Sequence, residues 1–344
     1  MADQFPFVSF VTPTLNASKV LETELESIRT QDYPQNKIEI IIADGGSTDD
    51  TLKIASKYKA KIYKNPLKTG EAGKAVAVKR AKGEFVVLID SDNILPSKDW
   101  LKKMIKPLLS DKSLVGSEPW EYTHRKEGGF IERYSALTGF NDPIVMFYGN
   151  YDRRNLLTDK WTGIKLKQKD MGDWIKVTLE KDKDLPTIGA NGTIFRNSFL
   201  KRVVIKDYLF DIDVLASEIK KKNQIEFAKV KIGIIHTFCE SDIRKFARKQ
   251  KRRVLDYYQY KAKNLRSVNW EACSSKKLAI VKFILYTILT LPSVIDSIKG
   301  YIKKRDPAWF FHPLACWITL WEYTTNTVKY VLFRSEVKRD AWKQ

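Results

Sequence analysis

Apolar positions recur with two different spacings over roughly the first third of the chain. Short apolar runs at "FVSFVTPT" (7–14), "KIEIIIADG" (37–45), "AKIYKNP" (60–66) and "EFVVLID" (84–90) read as strands. Between them lie segments of helical period. Residues 17–30 place Val20, Leu21, Leu25 and Ile28 on one face, and "STDDTLKIASKY" (47–58) offers Ser47 or Thr48 as its cap. "GEAGKAVAVKRA" (70–81) and "SKDWLKKMIKPLL" (97–109) continue the series. Buried strands separated by single helices predict a parallel sheet covered on both faces. Ligands bind such sheets outside the carboxyl ends of the strands. Asn16, Asp44, Asp90 and Asp92 all lie just past strand ends, and therefore along one edge.

The pattern then changes twice. Residues 116–240 are less regular, rich in Trp, Tyr and Gly, with strands expected at "TIF" and "VKIGIIH". Residues 241–344 open on a basic helix and continue into two apolar stretches, "LAIVKFILYTILTLPSVI" (278–295) and "AWFFHPLACWITLW" (308–321). Three regions follow: 1–115, 116–240 and 241–344.

The chemistry concentrates at "EFVVLIDSDN". An apolar strand ending in Asp90-Ser91-Asp92 presents two carboxylates whose spacing in an extended chain points them the same way, so a cation is expected between them. Mg²⁺ or Mn²⁺ suits such oxygen ligands, with substrate phosphates completing the shell. The alternative is helix capping by Asp92 or Asn93 ahead of 97–109. Two other pairs have this spacing, Asp182/Asp184 and Asp211/Asp213, and "KDKDLP" reads as a solvated charge run.

The segments "SIRTQDYPQNKIEIIIADGGSTDDT" and "GEAGKAVAVKRAKGEFVVLIDSDN" closely resemble the nucleotide-sugar half of the family 2 inverting glycosyltransferases. The likeness runs from Phe7 to Leu108 with its elements in order: Pro-Thr-x-Asn, then Asp-Gly-Ser-Thr-Asp, then Asp-x-Asp. It implies a GT-A fold, an α/β domain with a predominantly parallel or mixed central sheet, to which the apolar stretches after residue 278 would add C-terminal membrane-associated helices. By the same resemblance, 1–115 is the half that binds the nucleotide sugar and 116–240 the half that holds acceptor and catalytic base. Pro13, Thr14 and Asn16 would border the nucleoside, Asp44 the base or ribose, and Lys74 the nucleotide. Asp90, Ser91 and Asp92 would frame ribose, metal and diphosphate. Simpler roles are a turn at Asp44 with Gly45 and Gly46, and an exposed helix position for Lys74. The commoner family form has Asp-Asp-Gly-Ser; here Ala43 replaces the first acid.

Inverting transfer needs a carboxylate that takes the acceptor proton. "GANGTIFR" is followed by "FDIDVLASEI", so Asp211 aligns with the usual base and Phe210 replaces a Glu; Asp213 is the second candidate. A helix N-terminus is the alternative role for both. Gly189 and Asn191 permit close backbone approach by acceptor or diphosphate, and Arg196 could meet a phosphate. His236 matches a position where many family members carry a histidine beside the metal.

"IRKFARKQKRRV" holds seven Lys or Arg between positions 244 and 253. Arg244, Arg248 and Arg252 share one face, as do Lys245, Lys249 and Arg253. By resemblance, Arg248 and Arg252 are candidates for the diphosphate or acceptor; attraction to an anionic membrane is compatible. The first apolar stretch is broken at Pro292, and basic "KGYIKKRD" between the stretches opposes a hairpin of two spans. Helices lying in or dipping into the cytoplasmic face are therefore expected, with two transmembrane helices as the alternative.

Composition sharpens the partner class. A formal net charge of +20 over 344 residues calls for an anionic partner. Cys239, Cys273 and Cys316 have no metal-ligand spacing and suit a reduced compartment, and "MADQFPFVSF" reads as carrying no secretory signal. A P-loop is excluded, because "TGEAGKA" lacks the leading Gly and has Ala75 where Ser or Thr is required. A nucleotidyltransferase should open on a Gly-rich phosphate loop, where this chain has "TPTLN". Nucleic acid is not expected, since the densest basic cluster adjoins apolar helices instead of stacking aromatics. The partners expected are a UDP- or GDP-sugar and a lipid-linked or glycan acceptor.

Overall fold

A computed structural model describes residues 5–203, 207–209, 211–262 and 274–333. Phe210 and Cys273 lie outside the described residues, as does the side chain of Asp211. The chain forms two compact units. The first contains residues 1–125, 152–154 and 164–237, and the second 126–151, 155–163 and 238–344. The boundaries thus differ from the sequence expectation: the segment after Tyr122 groups largely with the C-terminal helices, while 164–237 returns to the sheet.

The first unit is built on one mixed sheet. In chain order its opening elements are β1 (Val8–Thr14), α1 (Ser18–Arg29), β2 (Ile38–Asp44), α2 (Thr51–Lys57), β3 (Lys61–Lys64), α3 (Gly70–Arg80) and β4 (Phe85–Leu88). A two-residue β5 (Asn93–Ile94), α4 (Trp100–Ser110) and β6 (Leu114–Tyr122) follow. The helices α5 (Phe130–Thr138) and α6 (Val145–Tyr148) belong to the second unit. The first unit resumes with β7 (Lys167–Asp170), β8 (Trp174–Glu180), β9 (Thr193–Arg196), α7 (Asn197–Val203), α8 (Asp211–Lys222) and the long β10 (Gln224–His236).

The strand order is β3-β2-β1-β4-β9-β6-β10-β8-β7, with β5 paired to β10. β3, β2, β1 and β4 run parallel, as their βαβ pattern requires; β9 enters antiparallel between β4 and β6. The apolar runs of β1, β2 and β4 are buried on both faces, whereas the edge strands KIYK and KQKD are exposed and charged, which discourages edge-to-edge pairing. From β1 the chain winds outward through β2 to β3, then crosses back to β4 on the other side of β1. The order reverses there, and the crevice outside the carboxyl ends of β1 and β4 is the switch point where such sheets bind ligands.

The second unit is helical: α5, α6, α9 (Ile243–Ala262), α10 (Ser274–Leu289), α11 (Leu291–Lys303) and α12 (His312–Phe333). Its core gathers Ile131, Tyr134, Phe238, Phe246, Trp309 and Phe311, with aromatic edges on aromatic faces. Among the described residues no single helix is long and apolar enough to cross a membrane; α10 and α11 pass that test only together, bent by 85°. The bend is at Thr290, whose φ of 58° breaks the helix one residue before α11 begins, with Pro292 in the first turn of α11. Large apolar side chains stay exposed at helical spacing on α10 (Leu278, Val281, Leu285, Ile288), on α11 (Leu291, Ile295, Ile298, Ile302) and on α12 (Leu314, Trp317, Trp321, Val328).

Candidate active site

The loop after β1 and the loop after β2 are tied together. Asn16 takes a left-handed conformation (φ 51°); its N–H donates to Ser47 Oγ at 2.8 Å and its Oδ1 accepts from Thr48 N at 2.9 Å. Asp44 holds the turn. Its Oδ2 accepts from the N–H groups of Gly46 and Ser47, each at 2.8 Å, and its Oδ1 from Thr14 Oγ1 at 2.9 Å and Ser47 Oγ at 2.5 Å. Four donors fill a carboxylate's usual capacity, so Asp44 has the simpler turn role in this conformation, not a free oxygen for base or ribose. Ser47 and Thr48 do not cap α2: it starts at Thr51, preceded by Asp50, and Asp49 Oδ1 accepts from the Thr51 N–H at 3.1 Å.

Across the switch point, β4 stops at Leu88 and residues 90–92 turn. The Asp90 N–H donates to Asn93 Oδ1 at 3.2 Å, and the Asn93 N–H donates back to Asp90 O at 2.9 Å. Neither Asp92 nor Asn93 caps α4, which Asp99 precedes. The chain is no longer extended there, so the two carboxylates need not point the same way. Asp90 Oδ1 lies 3.6 Å from Lys74 Nζ, and Asp92 Oδ1 lies 3.4 Å from His236 Nε2.

Lys74 is buried rather than an exposed helix lysine. Thr69 caps α3, accepting from Ala72 N at 3.2 Å, and alanines let the helix approach the sheet closely. A Cβ on Gly73 would meet Pro13 Cβ at 2.7 Å, so glycine there brings the helix, and the Lys74 stem with it, against the end of β1. His236 is placed by β10, which pairs with β5 through His236 opposite Asn93. Thr237 donates to Asp92 O from both its N–H (2.9 Å) and its hydroxyl (3.1 Å).

Asp92 and His236 supply one carboxylate and one imidazole on facing segments. Among the described residues no group of three or more His, Cys, Asp or Glu converges to hold a metal ion. The two side chains could supply only part of an ion's shell, as oxygen and nitrogen donors of a kind Mn²⁺ accepts.

One carboxyl beside this pair went unnoticed in the sequence. Glu24 sits at the buried face of α1, where Thr12 Oγ1 donates to its Oε1 at 2.6 Å and its Oε2 has no partner. Burial pushes its pKa well above the ordinary value, against the Thr12 hydrogen bond and with help from the charges of Asp90 and Asp92. The shift favours its protonated, neutral form. The signal was available: Leu21, Glu24, Leu25 and Ile28 share one stripe, so Glu24 was an acid on an apolar face.

The acceptor-side candidates divide. Gly192 (φ 77°) donates its N–H to Leu88 O at 3.0 Å, which ties "GANG" to the end of β4. The Gly189 N–H donates to Glu118 Oε1 at 3.2 Å, and Asn191 Nδ2 to the Tyr122 hydroxyl at 3.1 Å. Arg196 lies elsewhere. It pairs with Phe85 at the start of β4, the end away from Asp90, and donates to the carbonyls of Leu108 (2.5 Å), Leu114 (2.8 Å) and Asp111 (3.2 Å). It closes backbone carbonyls around α4, and a phosphate role is not compatible with that commitment. Asp211 opens α8 and Asp213 is buried in its first turn. Arg248 and Arg252 belong to the second unit, exposed on α9 together with Arg244. On the same helix Arg253 donates to Asn141 O at 2.7 Å, and Lys249 lies 4.3 Å from the Phe238 ring centroid.

A buried ion cluster supports "GANG". Glu118 accepts from Arg153 Nη1 and Lys229 Nζ, each at 2.7 Å, with all three side chains fully buried. Burial pushes the Glu118 carboxyl up, but the two cations outweigh it and hold it below the usual value. Burial brings Lys229 down to about 8 and Asp152 up to about 7. No local motif marks this cluster, because its members are distant in sequence.

Residues 9–166 match the family model described as glycosyl transferase family 2. The chain is 38% identical over 100 residues to the poly(ribitol-phosphate) beta-N-acetylglucosaminyltransferase TarS of Staphylococcus aureus, a match covering 27% of this chain and only 17% of that protein. It is 24% identical over 320 residues to the GalNAc(5)-diNAcBac-PP-undecaprenol beta-1,3-glucosyltransferase of Campylobacter jejuni, covering 85% of this chain and 94% of that one. Among solved structures, the mannosyltransferase PcManGT of Pyrobaculum calidifontis, in complex with GDP-Man and Mn²⁺, superposes with a TM-score of 0.52 at 15% identity, covering 97% of this chain and 89% of that one.

Proposed function

We propose, from the match of residues 9–166 to glycosyl transferase family 2 and from the GT-A-type fold, that the protein is a metal-dependent inverting glycosyltransferase. The donor is a nucleoside-diphosphate sugar, UDP- or GDP-linked, lying across the carboxyl ends of β1 and β4. The observation that carries the reading is the pairing of buried Lys74 with Asp90 beside Asp92 and His236. A cation delivered through a close helix–sheet contact to a carboxylate at a switch point is suited to neutralise a diphosphate.

Asp92 and His236 would hold the divalent cation; when bound it supplies Lewis-acid neutralisation of the leaving diphosphate. The protein's own groups do the remainder. Pro13, Thr14 and Asn16 form the rigid end of β1 that borders the nucleoside, and Asp44 acts by fixing that loop. Lys74 moves its charge from Asp90 towards the phosphate oxygens. Glu24, whose burial favours the protonated form, limits the negative charge that Asp90 and Asp92 present to the donor. A carboxylate at the start of α8, Asp211 or Asp213, accepts the acceptor O–H proton. The acceptor oxygen bonds to the anomeric carbon from the face opposite the phosphate, the C–O bond to phosphate breaks, and nucleoside diphosphate leaves with the electron pair. Gly189 and Asn191 line the acceptor side.

The acceptor is a hydroxyl or phosphate on a lipid-linked or membrane-associated glycan. Support comes from the Campylobacter relative, whose name specifies a PP-undecaprenol-linked acceptor. It also comes from the second unit, where apolar faces on α10, α11 and α12 stay exposed beside the exposed arginines of α9. Such a surface suits the cytoplasmic face of an anionic membrane, entered from one side and not crossed.

The test is Mn²⁺- or Mg²⁺-dependent turnover of UDP-, GDP- and dTDP-sugars, with and without membrane lipid extract, comparing wild type with Asp92→Ala. One donor turned over, lost in the variant and stimulated by lipid, is expected. No turnover of any donor, with nucleotide binding unchanged in Asp92→Ala, refutes the reading.

A further inference from the structure

Arg153 is fully buried, yet it is not needed to join the strands around it. Glu118 on β6 and Lys229 on β10 are direct partners in the parallel register, and their ion pair adds to the backbone ladder that already joins the two strands. Arg153 arrives from a short segment, residues 152–154, that rejoins the sheet unit between pieces of the helical one. Its guanidinium then makes contacts the sheet does not require. Nη1 donates to Glu118 Oε1 at 2.7 Å and to Asp152 Oδ2 at 2.8 Å, and Nη2 donates to Asn191 O at 3.0 Å. The guanidinium carbon lies 5.3 Å from the centroid of the Tyr122 ring. The Tyr122 hydroxyl takes the Asn191 side-chain amide, and its ring centroid lies 5.3 Å from that of His236.

We propose that Arg153 is a positioning residue, acting through the Tyr122 ring to fix the His236 imidazole opposite Asp92, and through the Asn191 carbonyl to fix the acceptor-side turn. Arginine suits the task because its planar fork serves several acceptors in fixed directions while its face engages an aromatic ring. Two carboxylates, Glu118 and Asp152, face the Arg153 guanidinium, so it is held by opposite charge rather than buried alone. Tyr122 then has a cation and an imidazole as neighbours, and its ring links Arg153 to His236. The inference deepens the proposed function, since it rests on Asp92 and His236 being the metal pair.

The decisive variants are Tyr122→Leu, which removes the ring, and Tyr122→Phe, which removes only the hydroxyl. Arg153→Met is the direct variant, and the Tyr122 pair decides the matter if Arg153→Met does not fold. The readout is Mn²⁺ binding by electron paramagnetic resonance, with UDP or GDP present, alongside the thermal midpoint. Tyr122→Leu should weaken Mn²⁺ about 10- to 100-fold, as loss of an outer-shell partner does, while Tyr122→Phe binds Mn²⁺ like wild type. A folded Tyr122→Leu that binds Mn²⁺ as wild type does overturns the inference and leaves the metal pair standing. Tyr122→Phe as weak as Tyr122→Leu overturns the ring as the link. Wild type that binds no Mn²⁺ with either nucleotide overturns the metal reading, and this inference with it.

Discussion

Glu118→Gln should be among the most damaging conservative changes in the sheet unit, and its damage should depend on pH in a defined direction. The substitution keeps shape and one carbonyl acceptor but removes the charge that faces two fully buried cations, each 2.7 Å away. Asp152 remains as a single partly available counter-charge. Removing one member of a buried ion group costs about 3–5 kcal/mol, because the charge left behind has no water to turn to. Lys229 can respond where Arg153 cannot, since burial already lowers it to about 8. Without Glu118 it goes lower still. The unfolded chain keeps that lysine protonated to about 10.5, so above the folded value the unfolded state binds more protons and stability rises with pH. The variant should therefore regain stability between pH 7 and 8, at up to about 1.4 kcal/mol per unit, over a range where wild type gains little. Hydrogen exchange of the β6 and β10 amides at several pH values measures this locally. Glu118→Gln/Lys229→Met should recover a large part of the loss at pH 7. A loss below about 1 kcal/mol, a pH slope equal to wild type, or a double variant no better than the single would each refute the reasoning.

Lys74→Met should raise donor KM roughly 10- to 150-fold, the equivalent of about 1.5–3 kcal/mol for a hydrogen bond to a charged group, with an unchanged melting temperature or a higher one; steady-state kinetics on the active donor checks it. Glu24→Gln should stabilise the protein at pH 7–8 but not near pH 4.5: the folded carboxyl keeps a proton that the unfolded one releases above about 4.5, so wild type loses stability as pH rises through that window and the amide does not. Thermal melts at the two pH values decide this. Arg196→Ala should cost roughly 2–3 kcal/mol, by freeing carbonyls at Leu108, Asp111 and Leu114, and should leave donor KM unchanged; a raised KM would restore the phosphate role. Leu285→Glu with Trp321→Glu, both on exposed faces, should reduce binding to vesicles of anionic phospholipid by about tenfold or more without lowering the melting temperature, which vesicle sedimentation measures.

Local pattern carried the reading as far as local forces decide the structure. Between Val8 and Ser110 the strands β1, β2 and β4 are buried apolar runs and the helices between them amphipathic or alanine-rich, so alternation of period was enough to expect Asn16, Asp44, Asp90 and Asp92 just past strand ends, along one edge. Element boundaries shifted only where a turn took residues from a strand or helix: α2 begins at Thr51, and β4 stops before Asp90. Side-chain roles were less legible, because partners come from elsewhere in the chain. For Asp44 the sequence leaves a ligand contact and a turn with Gly45 and Gly46 side by side, and its four hydrogen-bond donors favour the turn. Arg196 was read as phosphate-binding from its place after a glycine turn; only the pairing with Phe85 shows that it lies at the other end of the strand. Arg153, Glu118 and Lys229 had no signal beyond being charged residues in a region rich in aromatics, since β6 and β10 meet only through the tertiary fold. The regrouping of 126–151 with the C-terminal helices was invisible for the same reason.

The short pairing of β5 with the end of β10 bears on how such a site can diverge. Asp92 and His236 are held by main-chain hydrogen bonds: Asn93 lies opposite His236, and Thr237 donates to the Asp92 carbonyl from its N–H as well as its hydroxyl. The main-chain part of that arrangement does not depend on which side chains the two positions carry. The scaffold is a socket, and its contents are exchangeable at little cost to folding. A lineage could alter the ligand at 92 or 236, and with it the preferred ion, in single steps that each leave a folded protein. The same could not be said of Glu118 or Arg153, where any substitution that removes the charge strands its buried partner. Variation should therefore run freely at the rim of the crevice and be resisted one layer beneath it.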